Sequence, residues 1–195
     1  MYLSGGIAAA GILRLLVPPE VELRLHVPDN RGVVDASPAG LARAAGTSLA
    51  TYALASAMQS EEHNDRGRLA VGRAIWNAVA GRPDRIFPKL APHGRFGAQF
   101  LNGYAATTKP PTARTLILAE AVLAGRVPDF VAGATQWDAP AVQDRGHALY
   151  LTDPVAYPEY RFSSENIADR RHLAGLREVH VDGVPATRFW TRARA

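Results

Sequence analysis

The sequence predicts a mainly α-helical domain with a few short β-strands, an α+β arrangement preceded by an extended N-terminal arm. Three features carry that expectation. Apolar residues recur at helical spacing in three capped segments between residues 47 and 125. Valines alternate with polar residues near the C-terminal side, the period-two pattern of a half-buried strand. The first 17 residues are almost wholly apolar and stop at Pro18-Pro19.

Tyr2 to Val17 contains Ser4, three glycines and Arg14, and it falls short of the roughly 20 apolar residues that a spanning helix needs. It also lacks the basic start and small-residue exit of a secretory signal. It reads as a hydrophobic arm that docks on a partner, ahead of a membrane-proximal anchor and, third, a secretory signal. From Pro18 to Pro38, Val21, Leu23, Leu25 and Val27 alternate with Glu20, Glu22, Arg24 and His26, which predicts a strand or extended strap. Asn30, Gly32 and Pro38 make its end turn-rich, so residues 1–40 are assigned to arm and strap and residues 41–195 to the globular domain.

Thr47 or Ser48 caps a helix running to about Glu62, with Leu54, Ala57 and Met58 at helical spacing. A second helix is expected over Arg66–Val79, with Val71, Ile75 and Val79 on its buried stripe. Gly81 ends it and Pro83 prevents its resumption. Residues 82–108 are rich in Gly, Pro, Phe and Asn and predict a long loop region with short elements, where binding surfaces tend to sit. Pro111-Thr112 opens a third helix with Leu116, Ala119 and Leu123 on its stripe and Gly125 as its stop. Val131–Trp137 has strand character, and Asp138–Pro158 reads as irregular. Glu165–Leu176 predicts a short basic helix, and Glu178–Val184 a strand and turn before Phe189-Trp190.

A chain of 195 residues, 47% hydrophobic and 21% charged, suits one compact domain with a real core. It has no cysteine, which excludes disulfides, thiolate zinc sites and a cysteine nucleophile. No Gly-rich phosphate loop and no G-x-S-x-G elbow occurs. His26, His63, His93, His147, His172 and His180 show no metal-ligand spacing, so no metal or cofactor is expected. The net charge of +4 favours anionic partners, whether nucleic acid, acidic lipid or a bacterial wall polymer. The basic cluster Arg170-Arg171, Arg188, Arg192 and Arg194 is a solvated face in the plainer reading and a wall-attracting one in the sharper. A nucleic-acid module ranks last, because these arginines lack the aromatic stacking platform that single strands require.

The helix ending in Glu61-Glu62 carries the acid–base candidates. On a helical wheel Glu61 lies about 20° from Leu54, near the apolar stripe, where a carboxylate is partly desolvated and stays protonated near neutral pH. Glu62 lies about 40° from Met58, so geometry alone leaves the two open. The segment that follows, Gly67-Arg-Leu-Ala-Val-Gly-Arg-Ala-Ile-Trp-Asn77, resembles the motif after the catalytic glutamate in cell-wall hydrolases of the spore-cortex-lytic type. Glu61, Gly67, Ala70-Val71 and Asn77 follow that family's order. The turn between Glu61 and Gly67 is shorter than the family's, and its arginine after the asparagine is Ala78 here. Gln99-Phe100, Pro128-Asp129, Gly133-Ala-Thr135 and Phe189-Trp190 fit the same pattern, which covers residues 48–190.

The resemblance implies a lysozyme-like domain that cleaves peptidoglycan glycan strands, as a lytic transglycosylase or muramidase. It makes Glu61 the general acid, with Gln99 and Thr135 as glycan contacts and Asn77 a further contact position. Trp137 is either a sugar-stacking or a core residue, as are Tyr104 and Phe96. Asp138 and Asp129 are available as a second carboxylate, a turn role being favoured for Asp129. A lone glutamate leans towards transglycosylation. The expected setting is the cell envelope, periplasm or an extracellular particle, with the arm holding the domain on a phage-like or envelope assembly. The rival expectation is a non-catalytic structural or wall-binding protein that keeps the scaffold.

Overall fold

The computed structural model describes residues 37–90 and 110–192. The N-terminal arm and strap up to residue 36, and Phe96, Gln99 and Tyr104, lie outside the described residues. Helix α1 (Pro38–Ala44) begins inside the span assigned to the strap, with Ser37 accepting from the Gly40 amide at 3.0 Å as its N-cap.

Helix α2 (Leu49–Glu61) is capped by Ser48, whose hydroxyl accepts from the Thr51 amide at 3.1 Å. Helix α3 (Asp65–Ala78) starts at Asn64, which caps it through the Gly67 amide at 2.8 Å. It ends where Ala80 and Gly81 turn left-handed, at φ 53° and 70°. There the Gly81 amide reaches back to the Trp76 carbonyl at 3.0 Å, closing the C-terminus as expected for a helix followed by glycine. A 3₁₀ turn (Pro83–Arg85) leads into the short α4 (Ile86–Leu90), whose end residues Ile86 and Leu90 are fully buried. Helix α5 (Ala113–Leu123) is capped by Thr112.

Helices α2, α3 and α5 pack on one another, with α4 against α2, and enclose the core. The expected stripe residues Leu54, Ala57, Met58, Val71, Ile75, Val79, Leu116 and Ala119 are all in it. On α2 the burial goes further than a stripe: every residue from Thr51 to Met58 is buried. Small residues make that possible. Gly72 sits against Met58, and a Cβ there would stand 2.8 Å from the thioether sulfur.

The C-terminal side departs from the sequence expectations in three places. Val131–Trp137 is not a seven-residue strand. Residues 131–133 form a turn with Ala132 and Gly133 left-handed, at φ 48° and 73°, and strand β1 covers only Gln136–Asp138. Asp138–Pro158 is not irregular, since helix α6 (Pro140–Thr152) fills most of it, followed by a 3₁₀ turn (Pro158–Tyr160). Helix α7 (Ser164–Leu173) stops before Leu176, which opens strand β2 (Leu176–Val179).

Strand β3 (Arg188–Arg192) lies between β1 and β2, antiparallel to both. Its register pairs Trp137 with Phe189 and Asp138 with Arg188. Phe189 and Trp190 are fully buried, so the aromatic pair closes the helical core from the sheet side. Among the described residues no helix is long and apolar enough to cross a membrane.

Candidate active site

Two adjacent carboxylates at the end of α2 meet different surroundings. Glu61 is the last helical residue and half-buried, while Glu62 is the C-cap in an extended conformation and only 7% exposed. The change from helical to extended backbone at Glu62 sends the two side chains to different neighbours.

Glu62 turns inward. The Thr187 hydroxyl donates to its Oε1, and its backbone carbonyl accepts from Arg68 Nε at 3.1 Å. Its carboxylate lies on the first turn of α3, where a Cβ on Gly67 would stand 2.4 Å from Oε2. A glycine is therefore required at position 67 to admit the acid. Glu62 ties the α2–α3 junction to the chain just ahead of β3.

Glu61 is held from across the molecule. The Trp137 indole Nε1–H donates to its Oε2 at 3.0 Å. Burial pushes the Glu61 carboxyl above its ordinary value, the Trp137 hydrogen bond pulls it down, and the Glu62 charge adds to the upward push. Burial is the largest of the three. The group thus holds its proton more readily than a solvated glutamate.

Trp137 is itself braced. It is the middle residue of β1 and packs against the core. The Thr135 amide donates to the Trp190 carbonyl at 3.0 Å on one side of it. On the other, Arg171 Nη2 donates to the Trp137 carbonyl at 3.2 Å. Asp138, next along, pairs with both Arg171 and Arg188 and accepts from the Trp190 indole. Both arginines stack over the Trp190 ring, at 5.1 and 5.4 Å from its centroid.

The structure brings together some of the residues expected at the site and not others. Glu61 and Trp137 touch, and Thr135 lies just before β1. Asn77 stands behind them: its amide donates to Asp129 Oδ1 and to the Ala134 carbonyl, both at 3.2 Å. It anchors the turn that leads to β1. Asp129 also accepts from the Gly133 amide at 2.9 Å, in keeping with the turn role expected of it. Asp138 is committed to two arginines and an indole, so neither aspartate stands free as a second carboxylate. The same contacts divide the basic cluster: Arg170 and Arg192 are exposed, as a solvated face requires, and Arg194 lies outside the described residues. Arg171 and Arg188 are largely buried ion-pair partners, not a solvated face.

Sequence reasoning missed Gln59, Thr187 and the arginine clamp on Asp138. Gln59 lies half a turn before Glu61. Its Nε2 donates to the Pro110 carbonyl at 2.8 Å, and its Oε1 accepts from the Thr112 amide at 2.7 Å. With α4 packed on α2, the chain both leaves for residue 91 and returns at residue 110 against the helix that carries Glu61. No local sequence signal marks these partners, because each bond joins residues more than 30 positions apart. Among the described residues no group of three His, Asp or Glu side chains is arranged to hold a metal ion.

No known family, characterised protein or solved structure matches this chain.

Proposed function

We propose that this protein cleaves the glycan strands of peptidoglycan, with Glu61 as general acid. The observation that carries the reading is Glu61 itself: a half-buried carboxyl at a helix end, displaced towards its protonated form and fixed by an indole N–H. Scission of a glycosidic bond needs a proton delivered to the leaving oxygen by a group that is still protonated near neutral pH. The net charge of +4 also suits an anionic wall.

The engagement of Asp129 and Asp138 elsewhere favours a route with one carboxyl. Glu61 donates its proton to the glycosidic oxygen as the bond from C1 to that oxygen breaks. The resulting carboxylate then takes the proton of the sugar's 6-hydroxyl as O6 bonds to C1, leaving a 1,6-anhydro end. Glu62 holds the α2–α3 junction and takes no proton in this scheme.

Digestion of purified sacculi by wild type, Glu61→Gln and Glu62→Gln, with fragments read by mass spectrometry, tests the proposal. Soluble muropeptides with 1,6-anhydro ends are expected from wild type, reduced about a hundredfold or more by Glu61→Gln. Release that survives in Glu61→Gln would remove Glu61 as the acid. Binding to sacculi with no release from any of the three would leave a structural wall-binding protein.

A further inference from the structure

The indole N–H of Trp137 is a donor with no acceptor capacity, and it points at one particular oxygen of Glu61. We infer that Trp137 is the positioning residue of Glu61, fixing Oε2 as the acceptor so that the acidic proton is carried on Oε1. This deepens the proposed glycan cleavage and rests on it for its catalytic meaning, but the contact is a physical property testable without substrate.

A protonated carboxyl has one oxygen that carries the hydrogen and one that only accepts, and in solution the two exchange freely by rotation. An N–H held at 3.0 Å from Oε2 makes the exchange unequal. With the proton on Oε2, the hydrogen bond from the indole is lost or weakened. With the proton on Oε1, it is kept. After the proton has left, the same N–H faces a full carboxylate, where a hydrogen bond to a charged acceptor is stronger still. Trp137 therefore assists twice, by orienting the acid and by stabilising the base that remains.

This arrangement depends on the indole being immobile, and the contacts around β1 provide that. The Thr135 amide, the Trp137 carbonyl and the Asp138 side chain are all tied to β3 or to Arg171. Among the described residues, Glu62 is the titratable neighbour that pushes Glu61 in the opposite sense, and it lies next to Glu61 in the chain. Removing the indole N–H leaves burial and the Glu62 charge unopposed.

The test uses the full chain and has two readouts. The protein contains three tryptophans, so its indole N–H resonances are few enough to assign by substitution. In wild type the Trp137 indole resonance is expected to titrate with the Glu61 carboxyl, and this titration is lost in Glu61→Gln. Trp137→Phe, which keeps an aromatic ring but not the donor, is expected to raise the Glu61 pKa by about one pH unit. That shift corresponds to a tenfold change in the proton equilibrium. In sacculus digestion the alkaline limb of the pH profile moves up by the same amount, and release at the optimum falls severalfold.

An indole resonance in wild type that ignores the Glu61 titration overturns the inference without reference to any variant's folding. A Trp137→Phe protein that folds and leaves the Glu61 titration in place also overturns it. Failure of the proposed function would look different. In that case sacculi stay intact in wild type while the indole still follows Glu61.

Discussion

Helix α2 and helix α6 each have 13 residues, yet α2 buries a continuous run from Thr51 to Met58 and α6 buries only Gly146. The difference lies in what surrounds them. α2 is met by α1, α3, α4 and α5, so its small and apolar residues are enclosed on all sides. α6 rests on the 3₁₀ turn and α7, and its Leu149 and Leu151 face solvent. Its attachments are polar and specific. Gln143 donates to the Phe162 carbonyl at 2.7 Å, and the Ser164 amide and hydroxyl both donate to Asp144, at 2.7 and 2.8 Å. Gly146 lies directly against the Tyr160 ring, closer than any side chain would permit. One half of the molecule is therefore held by excluded volume and apolar burial, and the other by directed bonds and ion pairs. Glu61 ends the first and Trp137 belongs to the second, so the candidate site spans the seam.

The same substitution made in both helices is the strongest way to break this comparison. Leu54→Ala, at a fully buried position, is expected to cost about 3–5 kcal/mol, the upper range for a leucine that leaves a cavity. Leu151→Ala, at a position 69% exposed, is expected to cost less than about 0.5 kcal/mol. Urea unfolding measures both, and equal losses would mean that α6 is covered by something else. Asp138→Asn comes next. It leaves Arg171 and Arg188, largely buried, without their shared counter-charge, and about 2–3 kcal/mol is expected, below the range for fully buried pairs because some solvent reaches them. Loss of protection from hydrogen exchange confined to β1, α7 and β3, with α2 and α3 unaffected, would sharpen the division. A uniform loss would dissolve it.

The smallest effect is a pH dependence at the seam. Glu61 binds its proton more tightly folded than unfolded, so the stability linked to it is fully present below its ordinary value of 4.5. That stability is lost as pH rises through the raised folded value. Glu61→Gln removes the ionised form altogether. It is expected to unfold at a higher urea concentration than wild type at pH 7 and at nearly the same concentration at pH 4, with each pH unit of displacement worth about 1.4 kcal/mol. A variant less stable than wild type at pH 7 would show that the hydrogen bond from Trp137 outweighs burial.

The helical half was legible because its signals are local. Ser48, Asn64 and Thr112 cap three helices, left-handed Gly81 and Gly125 follow two of them, and the apolar spacing lies between. The second helix was read from Arg66, one residue late, since Asn64 and Asp65 look like part of a polar turn. Helix α6 was missed because a helix that buries one residue in 13 shows no apolar period; the proline at its first position was its only sequence mark. β1 was overextended because Val131 and Ala134 are buried by the turn that Asp129 holds, not by a sheet.

At the site, the resemblance singles out Glu61, whereas its position on the helical wheel does not. With α2 buried nearly all round, nearness to a stripe distinguishes nothing, and Glu62 is the more deeply buried of the two. What separates them is partners: Thr187 and Gly67 for one, Trp137 for the other. Gly67 is within local reach of Glu62, but Thr187 lies 125 residues from Glu62 and Trp137 lies 76 from Glu61, beyond any local pattern.

The order β1-β3-β2 carries a consequence for synthesis. The central strand is the last of the three to be made, so β1 and β2 have no sheet partner while residues 188–192 are still within the ribosome. The helices from α1 to α5 are complete long before and have their apolar faces to bury against one another. The Arg188 and Trp190 contacts to Asp138, the Thr135 bond to Trp190 and the Thr187 tie to Glu62 await the arrival of β3 or the residue just ahead of it, whereas Arg171 on α7 is already made. A nascent chain can therefore bury its helical core before the sheet that braces Trp137 is complete.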